Sequence, residues 1–284
     1  MHFSDYLLIF APLTLFNLIS NQPMPFPVRL ILMTVVLLLC LPKVQAEKMV
    51  LMTSWTAQAQ FAGYYVAYEK GFYKAAGLDI EITHPTLSTT PMITLQREQP
   101  DAIMLSLMSA MDLISQGVPL VNIFQDSMNS SNLLISRRDN DPLKMNGRKV
   151  AIFNADPNYL AYIISKKEKL NYDIIRCTSH INLFLSGAID ATMATSYNEY
   201  LQLLQSGFKM SKESIYRFSE HGYNIQEQGV YVKRSYYQEH AKDCQKFAEV
   251  TRQGWEWVVA HPEEALEIVL KYVRSDHAAT NRTL

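Results

Sequence analysis

Two short segments hold the residue types that could grip a small molecule. The first is Trp55, followed by Gln58 and Gln60, just past the apolar run Met49–Thr53. The second is Thr195-Ser196-Tyr197-Asn198-Glu199-Tyr200, just past the run Ile189–Ala194. An indole offers a flat apolar face, the two amides supply donors and acceptors, and a carboxylate accepts hydrogen bonds from an amino-substituted heterocycle. Tyr197 would pack beside that carboxylate. A second role competes for Glu199. Ser196-x-x-Glu199 fits a capping box, in which the Glu side chain returns to the Ser backbone N–H. Asn154-Ala155-Asp156-Pro157 and Ser106 follow two other apolar runs in the same way. Free N–H groups at a helix start can receive an anionic group, but capping by Asp156 and by Ser106 explains these positions as well. Tyr65 and Asn154 complete the expected lining. Trp255 and Trp257 read as packing.

The elements that must carry these residues alternate. Strands are expected at 49–54, 78–83, 101–105, 119–124, 132–136, 149–153, 173–177, 189–194, 214–218 and 229–233. Helices are expected near 59–75, 90–98, 106–116, 157–169, 180–186, 197–205, 235–260 and 262–273. Gly77 stops the first helix, where the left-handed C′ conformation favours glycine. Strands alternating with helices predict an α/β protein with mostly parallel sheets, and ligands in such sheets sit beyond the carboxyl ends of the strands. Two successive series with a late return suggest two lobes around a ligand cleft. The lobes would run over 47–140 with 226–284, and over 141–225. The crossings are expected near 137–147 and 222–230, with hinge closure around the ligand.

Other classes find little support. The chain has no GxSxG, P-loop, GxGxxG or HExxH, and its seven histidines are scattered, so no catalytic residue, cofactor or metal is expected. A formal net charge of −1 gives no electrostatic case for nucleic acid. The sixteen tyrosines suit half-buried helix faces or a ligand pocket. Val28–Leu41 is apolar apart from Arg29 and Thr34, and Val44-Gln45-Ala46 follows as a small-x-small site. Residues 1–46 are therefore expected to hold a signal peptide, with Met24 as the true start and cleavage after Ala46; the alternative is an uncleaved two-segment anchor that also uses the apolar stretch Tyr6–Ile19. Leu39 precedes Cys40 where a lipoprotein signal has a small residue, so no lipid anchor is expected. Cys177 and Cys244 fall in different lobes and are expected to be free thiols.

The run Trp55…Gln60-Phe61-Ala62-Gly63-Tyr64-Tyr65-Val66-Ala67…Gly71-Phe72-Tyr73…Gly77-Leu78-Asp79 resembles the opening of the periplasmic solute-binding proteins for thiamine-pyrimidine precursors, nitrate and alkanesulfonates. Gly187-x-Ile189-Asp190-Ala191, Tyr197-Asn198-Glu199-Tyr200 and Gly254-Trp255…His261-Pro262-Glu263-Glu264-Ala265 are similar too. The resemblance spans about 49–277. It implies a type II periplasmic-binding fold, a monomer that delivers a small molecule to an ABC permease in the inner membrane, and a periplasmic location. The pyrimidine branch is the most similar, with Trp55 as its aromatic and Glu199 as its carboxylate, although many of its members have His in place of Gln60. Two alternatives share the superfamily. A pyrimidine synthase consuming its own histidine and pyridoxal phosphate needs a lysine after the third strand and a late cysteine cluster, and both are absent here. A sulfonate- or nitrate-type binder, or a sensor domain fused to a signalling module, is the other. Family members usually continue for one or two more helices, so the ending Ala278–Leu284 reads as truncated.

Overall fold

The computed structural model describes residues 25–28, 31, 47–85, 94, 100–137, 141–153, 159–177 and 180–273. The chain divides into two compact units, Met1–Ala46 and Glu47–Leu284. In the first, the described residues form one exposed helical turn around Phe26. The expected signal peptide apart from 25–28 and 31, the helix at 90–98 apart from Thr94, and Asn154 lie outside the described residues. No helix among the described residues is long and apolar enough to cross a membrane.

The second unit is built on two five-stranded sheets. The first contains β1 (Lys48–Met52), β2 (Asp79–Thr83), β3 (Ala102–Ser106), β4 (Leu120–Gln125) and β10 (Gln228–Lys233), in the order β2-β1-β3-β10-β4. The second contains β5 (Asn132–Ser136), β6 (Lys149–Phe153), β7 (Asp173–Cys177), β8 (Ala191–Thr195) and β9 (Ile215–Arg217), in the order β7-β6-β8-β5-β9. Each sheet has one strand antiparallel to both neighbours, β10 in the first and β5 in the second. The remaining strands of each sheet share one direction, as expected of mostly parallel sheets.

The odd strand in each lobe is the one that enters from a crossing. The pairing of β5 moves the first crossing upstream of the expected 137–147. Leu134 lies opposite Met193 of β8 and Tyr216 of β9, so β5 belongs to lobe II and the chain crosses at 126–131. The boundary expected after residue 140 is therefore one strand late. Leu133, Leu134 and Ile135 are all buried, and such a run fits the centre of either sheet.

Helix α1 (Ala62–Glu69) backs the first sheet and is followed by α2 (Phe72–Ala75). Every residue from Ala62 to Ala67 is buried. A helix apolar on all sides needs cover on all sides, and two C-terminal helices, α7 (Arg234–Ala260) and α8 (Pro262–Tyr272), supply it. The α1–α7 contact depends on two glycines. A Cβ on Gly63 would come within 2.5 Å of the Trp255 ring, and one on Gly254 within 2.2 Å of the Gly63 carbonyl oxygen. Buried tyrosines of this layer find polar partners, as Tyr73 Oη does with Thr251 Oγ1 at 2.7 Å. The remaining helices are α3 (Leu107–Ser115), α4 (Tyr159–Lys167), α5 (Ile181–Ser186) and α6 (Glu199–Gln205). Cys177 and Cys244 are free thiols.

Candidate functional site

The carboxyl ends of β1, β3, β6 and β8 converge on one cavity of about 140 Å3. Lobe I contributes Trp55, Gln58, Gln60 and Ser106, and lobe II contributes Phe153, Tyr197 and Glu199. The crossings add Asn132, Glu227 and Gln228. The sequence-derived candidates Trp55, Gln58, Gln60, Ser106, Tyr197 and Glu199 thus lie around one space. Trp55 and Phe153 approach edge to face across it, with ring centroids 6.4 Å apart and planes at 73°. Ser106 caps α3, accepting from Ser109 N at 3.1 Å.

Glu199 begins α6 and is buried. Its Oε2 accepts from Thr195 N at 2.9 Å and Thr195 Oγ1 at 2.8 Å, and its Oε1 accepts from Asn198 Nδ2 at 2.8 Å. Burial pushes its carboxyl up, and the Thr195 and Asn198 bonds act against that shift. The capping box with Ser196 does not form, because the Ser196 N–H donates to Ser131 O at 2.9 Å. Of the two roles open to Glu199 in the sequence, the box is therefore ruled out. Tyr197 stays protonated, held up first by burial and then by Glu227, Glu199 and Asp126 around it.

Tyr65 does not line the cavity. It is fully buried in the core of lobe I, where its ring stacks on Tyr272 with centroids 4.1 Å apart. Its hydroxyl pairs with His84 Nε2 at 2.7 Å. Tyr65 and Tyr64 are adjacent on a helix with no polar face, so the sequence pattern could not show which way either side chain points.

Sequence reasoning missed the acid at the hinge. Glu227, buried on the returning crossing, accepts from Ser130 Oγ at 2.7 Å, Ser131 N at 2.7 Å, Ser131 Oγ at 2.6 Å and Asn132 N at 3.0 Å. Asn132 Nδ2 donates to it as well. One carboxylate therefore fastens the outgoing crossing to the returning one. The available signal was Ser130-Ser131-Asn132, three small polar donors before a strand, matched by a lone acid before the last strand. Phe153 was also missed because it reads as the end of a buried strand. Beneath it, His180 packs edge-on at 4.5 Å and pairs through Nδ1 with Thr192 Oγ1 at 2.7 Å. Among the described residues, no group of three or more His, Cys, Asp or Glu side chains is arranged to hold a metal ion.

Two lobes of identical strand order, joined by two crossings with a cavity between them, define the periplasmic-binding-protein class of fold. Solved structures agree. The periplasmic aliphatic sulphonate binding protein SsuA from Escherichia coli matches with a TM-score of 0.65 at 12% identity, covering 84% of this chain and 77% of that one. The alkanesulfonate-binding protein SsuA from Xanthomonas axonopodis pv. citri, bound to MOPS, matches with a TM-score of 0.63 at 12% identity, covering 84% and 83%. In sequence, a formylaminopyrimidine-binding protein of Halalkalibacterium halodurans is 26% identical over 244 residues, which is 79% of this chain and 70% of the relative. The NMT1/THI5-like family profile matches residues 58–265, and the chain belongs to that family.

Proposed function

We propose that this protein is the solute-binding component of an ABC importer, and that it captures a pyrimidine of the thiamine-precursor type or a similar amino-bearing heterocycle. The observation that carries the choice of ligand is the charge of the cleft. Its only ionisable lining besides Tyr197, among the described residues, is Glu199 and Glu227. No Lys, Arg or His among the described residues faces the space. A sulfonate or nitrate would meet two buried carboxylates and no cation, so like-charge repulsion and desolvation both oppose it. A neutral or protonated amino heterocycle meets complementary charge instead.

In this reading the ring packs against the Trp55 and Phe153 pair at the cleft, and its amino hydrogens face Glu199. Gln58, Gln60 and Ser106 complete its hydrogen bonding from lobe I. Closure of the lobes about the Glu227 clasp removes water from the ring, which strengthens each polar contact. The relative's name supports a formylaminopyrimidine as one candidate. An N-terminal signal peptide, a periplasmic location and a permease partner belong to the same proposal.

Ligand-dependent melting tests it. A ligand at 100 times its Kd stabilises the native state by about 2.7 kcal/mol. Aminopyrimidines should raise the melting temperature, whereas taurine, nitrate and alkanesulfonates should not. A shift with a sulfonate and none with any aminopyrimidine would reverse the assignment. N-terminal sequencing of protein from the producing cell should begin at Glu47, and a retained N-terminus would remove the export step.

A further inference from the structure

The turn that carries Trp55 has little backbone support. Among the described residues, the N–H groups of Ser54 to Ala57 donate to no backbone carbonyl. Side chains hold the turn instead. Thr53 is buried just past β1, and its Oγ1 donates to Trp55 O at 2.7 Å. Gln228 Nε2 donates to Ser54 Oγ at 2.6 Å. Trp55 is thus tied once at its own carbonyl and once through the residue before it.

The second tie is anchored at the hinge. Gln228 follows Glu227, whose carboxylate gathers Ser130, Ser131 and Asn132. The Gln228 carbonyl accepts from Ser127 N at 3.2 Å and from Gln125 Nε2 on β4. Gln125 is held in turn, its Oε1 accepting from Asn122 Nδ2 at 2.8 Å. Gly229 makes this packing possible, since a Cβ there would come within 2.5 Å of Gln125 Oε1. Gln228 lies opposite Ser106 in the pairing of β10 with β3. Its side chain therefore reaches from β10, across the end of β3, to the turn after β1. On the other lobe, Ser131 O accepts from Ser196 N at 2.9 Å, one residue before Tyr197. The residues of the clasp thus extend to within one position of an aromatic wall of the cleft on each side.

We infer that Gln228 is a positioning residue, which sets the Trp55 ring for the ligand by holding Ser54 to the hinge. A wall fixed before the ligand arrives loses little freedom on binding. The turn itself offers no backbone ladder that could do the same. The inference rests on the reading of Trp55 as a ligand-facing wall, and on the proposed ligand in only one arm of its test.

The test uses the full chain carrying 15N in its tryptophans. Its three tryptophans give three indole signals, and Trp55→Phe identifies the one of interest. In the ligand-free protein, Gln228→Met and Ser54→Ala should each shift the Trp55 signal and make its ring more mobile. The double variant should show no further change, because both substitutions break the same bond. Ser54→Thr restores a hydroxyl and should return the signal to its wild-type position. The Trp255 and Trp257 signals should stay in place and so report an intact fold. Should Gln228→Met disturb them, Ser54→Ala reads the same bond from its other end. For an aminopyrimidine that the wild type binds, either single substitution should weaken affinity by about two- to tenfold, the range of a neutral hydrogen bond. The double variant should lose no more than either single one. An unmoved Trp55 signal overturns the inference, as do losses that add in the double variant like those of two direct ligand contacts. Failure of the pyrimidine reading shows separately, as a wild type that binds no aminopyrimidine, and the Trp55 signal then still decides the role of Gln228.

Discussion

Helices α1 and α4 occupy the same position in the two lobes, each linking the first strand of a parallel trio to the second. Their surroundings differ. Helix α1 is buried from Ala62 to Ala67 under α7 and α8. Helix α4 buries only Leu160, Ala161 and Ile164, and its Tyr162 is 39% exposed. Among the described residues, lobe I therefore has a third layer that lobe II lacks, and the chain crosses back to supply it. The chemistry divides in the same way. Lobe I brings an indole, amides and a hydroxyl to the cleft, while lobe II brings the buried acid Glu199 together with Phe153 and Tyr197. One topology thus yields a heavy lobe that presents mainly neutral groups and a light lobe that carries charge.

The largest expected effects come from two buried ionisable groups on opposite sides of this division. His180 in lobe II is held neutral by burial, with its pKa pushed down to about 4 from 6.5. Its unfolded form takes up a proton first as pH falls, so stability is lost between about pH 6.5 and 4, by about 3 kcal/mol. Asp126, where the chain leaves lobe I, is pushed up by burial to about 6 from 3.8. Here the folded form keeps the proton longer, so stability is gained between about pH 6 and 4, by a similar amount. The two slopes oppose each other. Relative to wild type in urea denaturation, His180→Asn should gain stability as pH falls through this window and Asp126→Asn should lose it. Parallel profiles for both variants would refute the assigned burial.

Next in size is the covered helix. Gly254→Ala should destabilise by about 2–3 kcal/mol, because the new Cβ meets backbone that cannot yield. Tyr162→Ala, on the uncovered helix, should stay within about 0.5 kcal/mol. Similar losses at the two sites would erase the distinction between the layers.

Charge at the cleft comes third. Glu199→Gln should weaken binding of an aminopyrimidine by about ten- to a hundredfold, since a charged hydrogen bond contributes roughly 1.5–3 kcal/mol. Unchanged affinity by calorimetry would leave Glu199 as a structural acid that serves Thr195 and Asn198. A smaller loss than at Gly254 or Glu199 belongs to Tyr65→Phe, which removes the bond to His84. It should cost about 1 kcal/mol of stability and leave ligand affinity intact. An affinity loss there would return Tyr65 to the cleft.

Much of the architecture was legible because both sheets are built from short apolar runs with clear stops. The strands at 132–136, 149–153 and 173–177 occur at the expected bounds. The lobe that owns β5 was not legible. Pairing is a tertiary choice, and Leu133-Leu134-Ile135 would suit either sheet. At the site, Trp55 and Glu199 could be found because a strand end fixes where the following residues point. The hydrogen bonds of Glu199 could not, because Ser196 finds its acceptor at Ser131, 65 positions upstream. Glu227 escaped for a related reason, since its donors lie about a hundred residues away on the other crossing.

The Glu227 clasp also limits how the protein can evolve. Its donors sit at the entry to lobe II, and the acid sits on the way back to lobe I. Sliding the crossings apart would strand all of those donors at once, which favours rotation about a fixed pivot for any movement between the lobes. Asn132 and Gln228 lie next to that pivot, whereas Trp55 and Phe153 stand on opposite lobes and meet edge to face. Exchanging residues on the two lobe walls, away from the clasp, leaves the pivot undisturbed. A change at Glu227 alters the motion for every ligand alike.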